Sequence, residues 1–200
     1  MKAATLLDDA RLTPIVEPGA DAPRLTDREA ANPLAAVHHD VLREATEALT
    51  KRLQELQAVL AADARFALLV VLQGRDASGK DGLIRNVFGR CNPAGVQVTA
   101  FGPPTPVELA HDFLWRVHQA VPARGRIGVF NRSHYEDVLA VRVRALAPKQ
   151  VWQRRFAQIN AFERLLVESG TVVLKCLLHV SREEQRRRLL ERLDDPAKNW

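Results

Sequence analysis

FALLVVLQGRDASGKDG, residues 66–82, decides how the rest of the chain is read. The run from Phe66 to Gln73 is almost wholly apolar, rich in valine and leucine, and ends at a glycine. A run so short and so continuous predicts a strand buried on both faces, as in a parallel sheet. Directly behind it, Gly74, Gly79 and Lys80 stand at G-x-x-x-x-G-K spacing, and LIRNVFGR then continues as a helix. Glycines at this spacing let successive backbone N–H groups turn inward around a phosphate, and the following helix adds the positive end of its dipole. Lys80 would reach the terminal phosphates and follow their charge during transfer. Gly74, Arg75, Ala77, Ser78, Gly79, Lys80 and Asp81 are therefore the candidate phosphate-binding loop.

One position departs from this pattern. Asp81 stands where a Ser or Thr hydroxyl normally holds Mg²⁺. Asp76, a carboxylate inside the loop, would be repelled by phosphates unless a cation intervened, so it is a candidate for holding Mg²⁺ directly or through water. The alternative is an Asx-turn residue that shapes the loop.

Outward from the loop, apolar residues recur at Val37, Val41, Ala45, Ala48, Leu49, Leu53, Leu56 and Leu60, which predicts a long amphipathic helix from Leu34. VQVTAF (96–101), GRIGVF (125–130) and TVVLKCLLHV (171–180) read as three further strands, the last of them buried. VELAHDFLWRVHQAV (107–121) reads as one helix, and another long helix opens at Pro148 and stops at Gly170. Ser181 can cap a final helix, with Glu183 and Glu184 in its first turn. Strands alternating with helices in this rhythm give an α/β fold with a mostly parallel sheet. Residues 1–33, with four prolines and no period, read as an extended arm; residues 34–200 read as one domain.

A second group of candidates lies in GRIGVFNRSHYEDVL (125–139). Arg132 sits where strand becomes loop at the carboxyl end of the sheet, the usual side for ligands. It is a candidate catalytic residue with Lys80 and Asp76, or else the partner of Glu136 or Asp137 in a surface ion pair. His134 reads as a polar loop residue rather than a base. A third group is the run Arg182, Arg186, Arg187, Arg188 and Arg192, which is either a solvated helix face or a lid carrying arginines over a transferring phosphate.

Composition sets bounds on these readings. In 200 residues of net charge +5, arginine makes up most of the 29 basic residues. Residues 116–155 concentrate nine basic side chains against Glu136 and Asp137, which invites a polyanion. No apolar run is long enough to span a membrane, and Cys91 and Cys176 stand far apart, as expected of a reducing cytosolic compartment. No CxxC, HExxH or EF-hand spacing occurs.

Taken together, GRDASGKDG, NPAGVQVTAFGPPTPVELAHDFLWRVHQAVP, FNRSHYEDVL and HVSREEQRRRLLERLDDPAKNW resemble the polyphosphate kinase 2 family over residues 35–200. The resemblance implies a P-loop kinase fold that moves a phosphoryl group between inorganic polyphosphate and a nucleotide (AMP, ADP or ATP) with Mg²⁺. Carried onto this chain, it implies phosphate contacts from Gly74–Lys80, Arg132, Arg182 and Arg187, with the lid over about 181–200. It implies metal coordination through Asp76 with acidic help from Asp137, and nucleotide contacts from Asn131 and Glu136. Some members have Asp where this chain has Asn131, and that form accompanies use of nucleoside monophosphates as well as diphosphates. Members also continue beyond the point where this sequence stops, inside DPAKNW, which implies a shortened C-terminus. A homo-oligomer is expected, with neither membrane nor nucleic acid as partner. Two other readings are an ATP-dependent small-molecule kinase on the same fold and a non-catalytic polyanion-binding module.

Overall fold

The computed structural model describes Ala30 and residues 34–196. The remainder of the expected arm (1–33) and the end of the expected lid (197–200) lie outside the described residues. In chain order the elements are α1 (His39–Asp63), β1 (Ala67–Gly74), α2 (Lys80–Val87), β2 (Val96–Ala100), α3 (Pro106–Leu109), α4 (Trp115–Ala120), β3 (Ile127–Asn131), α5 (Glu136–Val143), α6 (Lys149–Glu168), β4 (Thr171–Leu178) and α7 (Arg182–Asp194). They divide into two compact units. The larger is Gln54–Gly74 with Lys80–Leu178; the smaller holds, among described residues, Ala30, 34–53, 75–79 and 179–196.

The larger unit is an α/β layer around a four-stranded parallel sheet of order β2-β3-β1-β4. β1 lies inside the sheet, which explains its unbroken apolar run: Leu69 and Val71 enter one core with Phe101, Phe130, Phe162 and Leu166, while Val70 and Leu72 enter the other with Phe88, Ile127 and Val129. Alternate residues of a strand point to opposite faces, so a strand covered on both sides has no polar phase. The register sets Leu72 beside Asn131, and thereby brings the carboxyl ends of β1 and β3 together.

Four expectations are corrected. β4 is an edge strand rather than a buried one, with Val172, Leu174 and Leu177 each more than half exposed. α1 begins at His39 rather than Leu34, after a turn closed by Val37 N–H on Leu34 O; of its apolar stripe Ala45 is buried and Leu60 packs against the second core, while Leu49 and Leu56 are exposed. The single helix expected over 107–121 is two short ones. Asp112 separates them: its Oδ1 accepts from Leu114 N (2.9 Å), a local bond that competes with helical pairing. Finally, α5 follows the third strand where no helix was expected, started by Ser133, whose carbonyl accepts from Glu136 N and whose Oγ accepts from Tyr135 N.

In the smaller unit, Ser181 Oγ accepts from Glu184 N (3.1 Å) and caps α7 as expected. Among the described residues no helix is long and apolar enough to cross a membrane.

Candidate functional site

At the carboxyl end of the sheet in the larger unit, Lys80 opens α2 and is only 7% exposed. Its Nζ donates to Gly74 O at 2.8 Å, so the two ends of the glycine-bounded loop are tied by the lysine that follows it. Asn131 Nδ2 donates to Asp81 Oδ1 at 2.6 Å. Two positions singled out in the sequence are thus partners: the carboxylate that stands where a phosphate-binding loop normally has a hydroxyl is met by the Asn131 amide. This bond leaves Asp81 Oδ2 and Asn131 Oδ1 without partners among the described residues. Two oxygens of this kind suit Mg²⁺, which prefers hard oxygen donors and takes few of them from protein. Among the described residues no three His, Cys, Asp or Glu side chains converge.

Arg132 follows at the end of β3 with φ +62°, a left-handed conformation uncommon for a side chain of this size. Its N–H donates to Leu72 O at 3.1 Å, which fixes the turn against β1. Below it Ser133 is fully buried. Gln73, its amide oriented to satisfy all its neighbours, accepts from Ser133 N and Oγ and donates to Glu136 Oε1 at 3.2 Å. Glu136 is therefore held at the head of α5 beside the ends of β1 and β3.

A buried polar network supports this turn. His134, expected as a loop residue, is fully buried, with Nε2 3.2 Å from Glu163 Oε1 and Nδ1 lacking a hydrogen-bond partner. Tyr135 Oη donates to the same Glu163 oxygen (2.7 Å), and Lys175 Nζ donates to Glu163 Oε2 (2.7 Å) and Tyr135 Oη (3.2 Å). Burial pushes Glu163 up, but bonds from His134, Lys175 and Tyr135 outweigh it and hold the carboxyl at about 2. Burial, then the bond to Glu163, pushes the Tyr135 phenol up to about 12.

Asp137, the other expected metal ligand, is placed otherwise than Asp81. Its oxygens face Arg116 Nη2 and Arg155 Nη1, each at 3.6 Å. Burial raises its carboxyl above the usual range despite both guanidinium groups. The basic stretch is correspondingly dispersed rather than aligned. Arg116 lies over Phe101 and Arg142 over Trp152, while Arg155 lies over Phe113 and donates to Asp137 O (2.7 Å).

In the smaller unit the loop residues 75–79 sit with α7. Ser78 N donates to Arg75 O (3.1 Å), Ala77 is left-handed at φ +61°, and Gly79 has φ +99°, where an L side chain would be strained. Gln185 Nε2 donates to Asp76 O (2.9 Å) and Arg188 Nη1 to Ala77 O (3.1 Å). Arg188 is in turn oriented by Glu184, through Nε to Oε1 at 2.6 Å. Arg187, singled out in the sequence, instead binds Glu184 and Glu191 on its own helix, and Arg182 is exposed in the first turn. Arg188 belongs to the arginine run named in the sequence, whereas Gln185 does not, although its i, i+3 spacing to Arg188 marks one helix face.

Comparisons with known proteins follow these motifs. The family model described as polyphosphate kinase 2 matches residues 36–200. The chain is 57% identical over 157 residues to the AMP/ADP-polyphosphate phosphotransferase of Meiothermus ruber, covering 78% of this chain and 59% of that protein. It is 46% identical over 175 residues to the ADP-polyphosphate phosphotransferase of Rhodopseudomonas palustris, covering 82% and 59%. The crystal structure of polyphosphate kinase 2 from Arthrobacter aurescens TC1 superposes with a TM-score of 0.84 at 40% identity, over 100% of this chain and 69% of that one. This chain thus spans about three fifths of the length of those two curated relatives.

Proposed function

The chain belongs to the polyphosphate kinase 2 family, and on that premise we propose that it transfers a phosphoryl group between inorganic polyphosphate and a nucleoside mono- or diphosphate. The observation that carries this reading is the buried Lys80, tied to Gly74 O and one sheet neighbour away from the left-handed Arg132. Transfer of a phosphoryl group through a loose transition state needs in-line placement and charge neutralisation more than a strong nucleophile. An oxygen of the acceptor's terminal phosphate forms the new P–O bond as the bond to the donor's bridging oxygen breaks, and the shortened polyphosphate leaves with the electron pair. Lys80 and Arg132 supply positive charge beside the transferring group and the donor's leaving oxygen, which gains negative charge as its bond breaks. The acceptor is already ionised at neutral pH, so this step calls for no general base.

Mg²⁺, when bound, would neutralise phosphate charge and bring donor and acceptor oxygens together. We assign Asp81 and Asn131 to it from their unpartnered oxygens, and keep Asp76 as the candidate from the loop sequence. Asn131 and Glu136 remain the proposed nucleotide contacts, and Arg188 joins Arg182 and Arg187 as the proposed cationic groups of α7. The test is incubation with Mg²⁺ and either polyphosphate or ATP as donor, against AMP, ADP and a panel of small alcohols. Polyphosphate-dependent ADP or ATP, resolved by chromatography, is the expected result. Product from ATP and an alcohol alone would favour an ordinary small-molecule kinase.

A further inference from the structure

A cavity of about 480 Å³ opens in the larger unit at the amino ends of β2 and β3, lined by Arg90, Arg124, Arg126, Gln54, Gln57 and Asn92 together with alanines and glycines. In a parallel sheet this is the end opposite the glycine loop: Arg126 immediately precedes β3, whereas Asn131 ends it. Five residues of strand, at about 3.3 Å each, separate the two ends by roughly 17 Å.

The cavity wall is built. Gln57 is only 4% exposed and both ends of its amide are engaged: Nε2 donates to Asn92 O (2.8 Å) and Oε1 accepts from Asn92 N (2.9 Å). A Cβ at Gly95 would come within 2.5 Å of Gln57 Nε2, so a larger residue there would displace the Gln57 amide from its bonds to Asn92. Asn92 Oδ1 caps that turn by accepting from Ala94 N (3.0 Å).

Its charge is uncompensated. No carboxylate lines the cavity, and among the described residues the guanidinium groups of Arg90 and Arg126 have neither ion pair nor hydrogen bond, while Arg124 donates only to Ser169 O at 3.3 Å. Elsewhere, Arg116 and Arg155 face Asp137 and Arg142 lies over the Trp152 ring. Three arginines lining one cavity without an acid suit an anion, and the planar fork of a guanidinium group matches phosphate oxygens. The volume exceeds a single phosphate, and no aromatic side chain is present to stack on a base.

We propose that this cavity is a second binding site for inorganic polyphosphate, an anchor for the donor chain remote from the glycine loop. The proposal rests on the polyphosphate reading above. A chain long enough to reach both sites would be held at raised effective concentration at the loop, whereas a short one would not.

The test is titration of long-chain polyphosphate and tripolyphosphate across a salt series, with wild type, Arg90→Gln/Arg126→Gln, and an Arg154→Gln/Arg164→Gln control on the exposed part of α6. The cavity variant should bind the long chain about tenfold more weakly, with a log–log salt slope shallower by about 1.4, two contacts at about 0.7 each if polyphosphate behaves as a single strand. Tripolyphosphate, too short to bridge the cavity and the glycine loop, should lose less affinity than the long chain, and the control should shift the long-chain Kd less than twofold. Ala61→Glu, which sets a carboxylate in the cavity from a helix position that tolerates it, should weaken the long chain in the same way and serves if the arginine variant does not fold. A cavity variant indistinguishable from the control overturns the anchor and leaves the transfer reading standing. A single-stranded oligonucleotide of equal phosphate count that binds as tightly, and loses as much on substitution, also overturns it. Absence of polyphosphate binding to wild type refutes the transfer reading as well.

Discussion

Glu163→Gln should remove a large, pH-dependent part of the stability of the larger unit. The carboxylate takes hydrogen bonds from Tyr135 and Lys175 and faces His134, and its side chain is 12% exposed, so solvent screens it little. Against burial, these partners hold it at about 2 rather than 4.5. At about 1.4 kcal/mol per pH unit, that difference corresponds to roughly 3 kcal/mol in favour of the folded state. The folded value is the lower one, so this contribution is fully present above about pH 4.5 and is lost as pH falls from there toward 2. Urea unfolding of wild type and Glu163→Gln from pH 7 to pH 2 should show a gap of about 3 kcal/mol that closes at the acid end. Tyr135 supplies a second readout because it is the only tyrosine in the chain. Its phenolate absorbance should titrate near 12 in wild type and lower in the variant, where the negative charge beside it is gone but burial still holds the phenol up. A stability gap independent of pH, or an unmoved phenol titration, would refute the network as described.

Asp81→Asn and Asp76→Asn should each raise the Mg²⁺ concentration for half-maximal transfer several-fold, whereas Asp137→Asn should leave it unchanged because Asp137 faces two guanidinium groups; the reverse order in a metal titration would sink the assignment. Arg188→Ala should slow transfer more than Arg187→Ala, since Arg188 donates to the loop carbonyl and Arg187 is taken up by Glu184 and Glu191. Equal turnover of the two variants would contradict this. Ala77→Gly should raise the unfolding midpoint by the equivalent of roughly 0.5–1 kcal/mol through relief of a left-handed alanine, and a lowered midpoint would count against the loop conformation.

What could be read from the chain is what is local or covalent. The strand 66–73, the loop behind it and the Ser181 cap depend on neighbours within a few residues, and all three stand where the pattern puts them. The Asp81–Asn131 pair spans 50 positions, so the sequence displays two unrelated departures and only the β1–β3 register makes them partners. The edge position of β4 is not legible in its residues, because an apolar run is the same in a central strand as at an edge, and position in the sheet is decided by the other strands. Glu163 does carry a local signal: it lies on the α6 stripe with Ile159, Phe162 and Leu166, all buried, where a charge requires partners. For the arginines of α7, composition marks the helix, but a rotation of 100° separates Arg187, bonded along its own helix, from Arg188, bonded to the loop.

The central claim is that phosphoryl transfer between polyphosphate and nucleotide takes place at the Gly74–Lys80 loop. Its most direct test is the passage of label from radiolabelled polyphosphate into ADP or AMP in the presence of Mg²⁺, with wild type and Lys80→Ala compared at equal folded concentration. The account predicts labelled nucleotide from wild type and a rate lower by about 10²–10³ in the variant, whose circular dichroism is unchanged. Labelled product at equal rates from both proteins, or none from either, would contradict it.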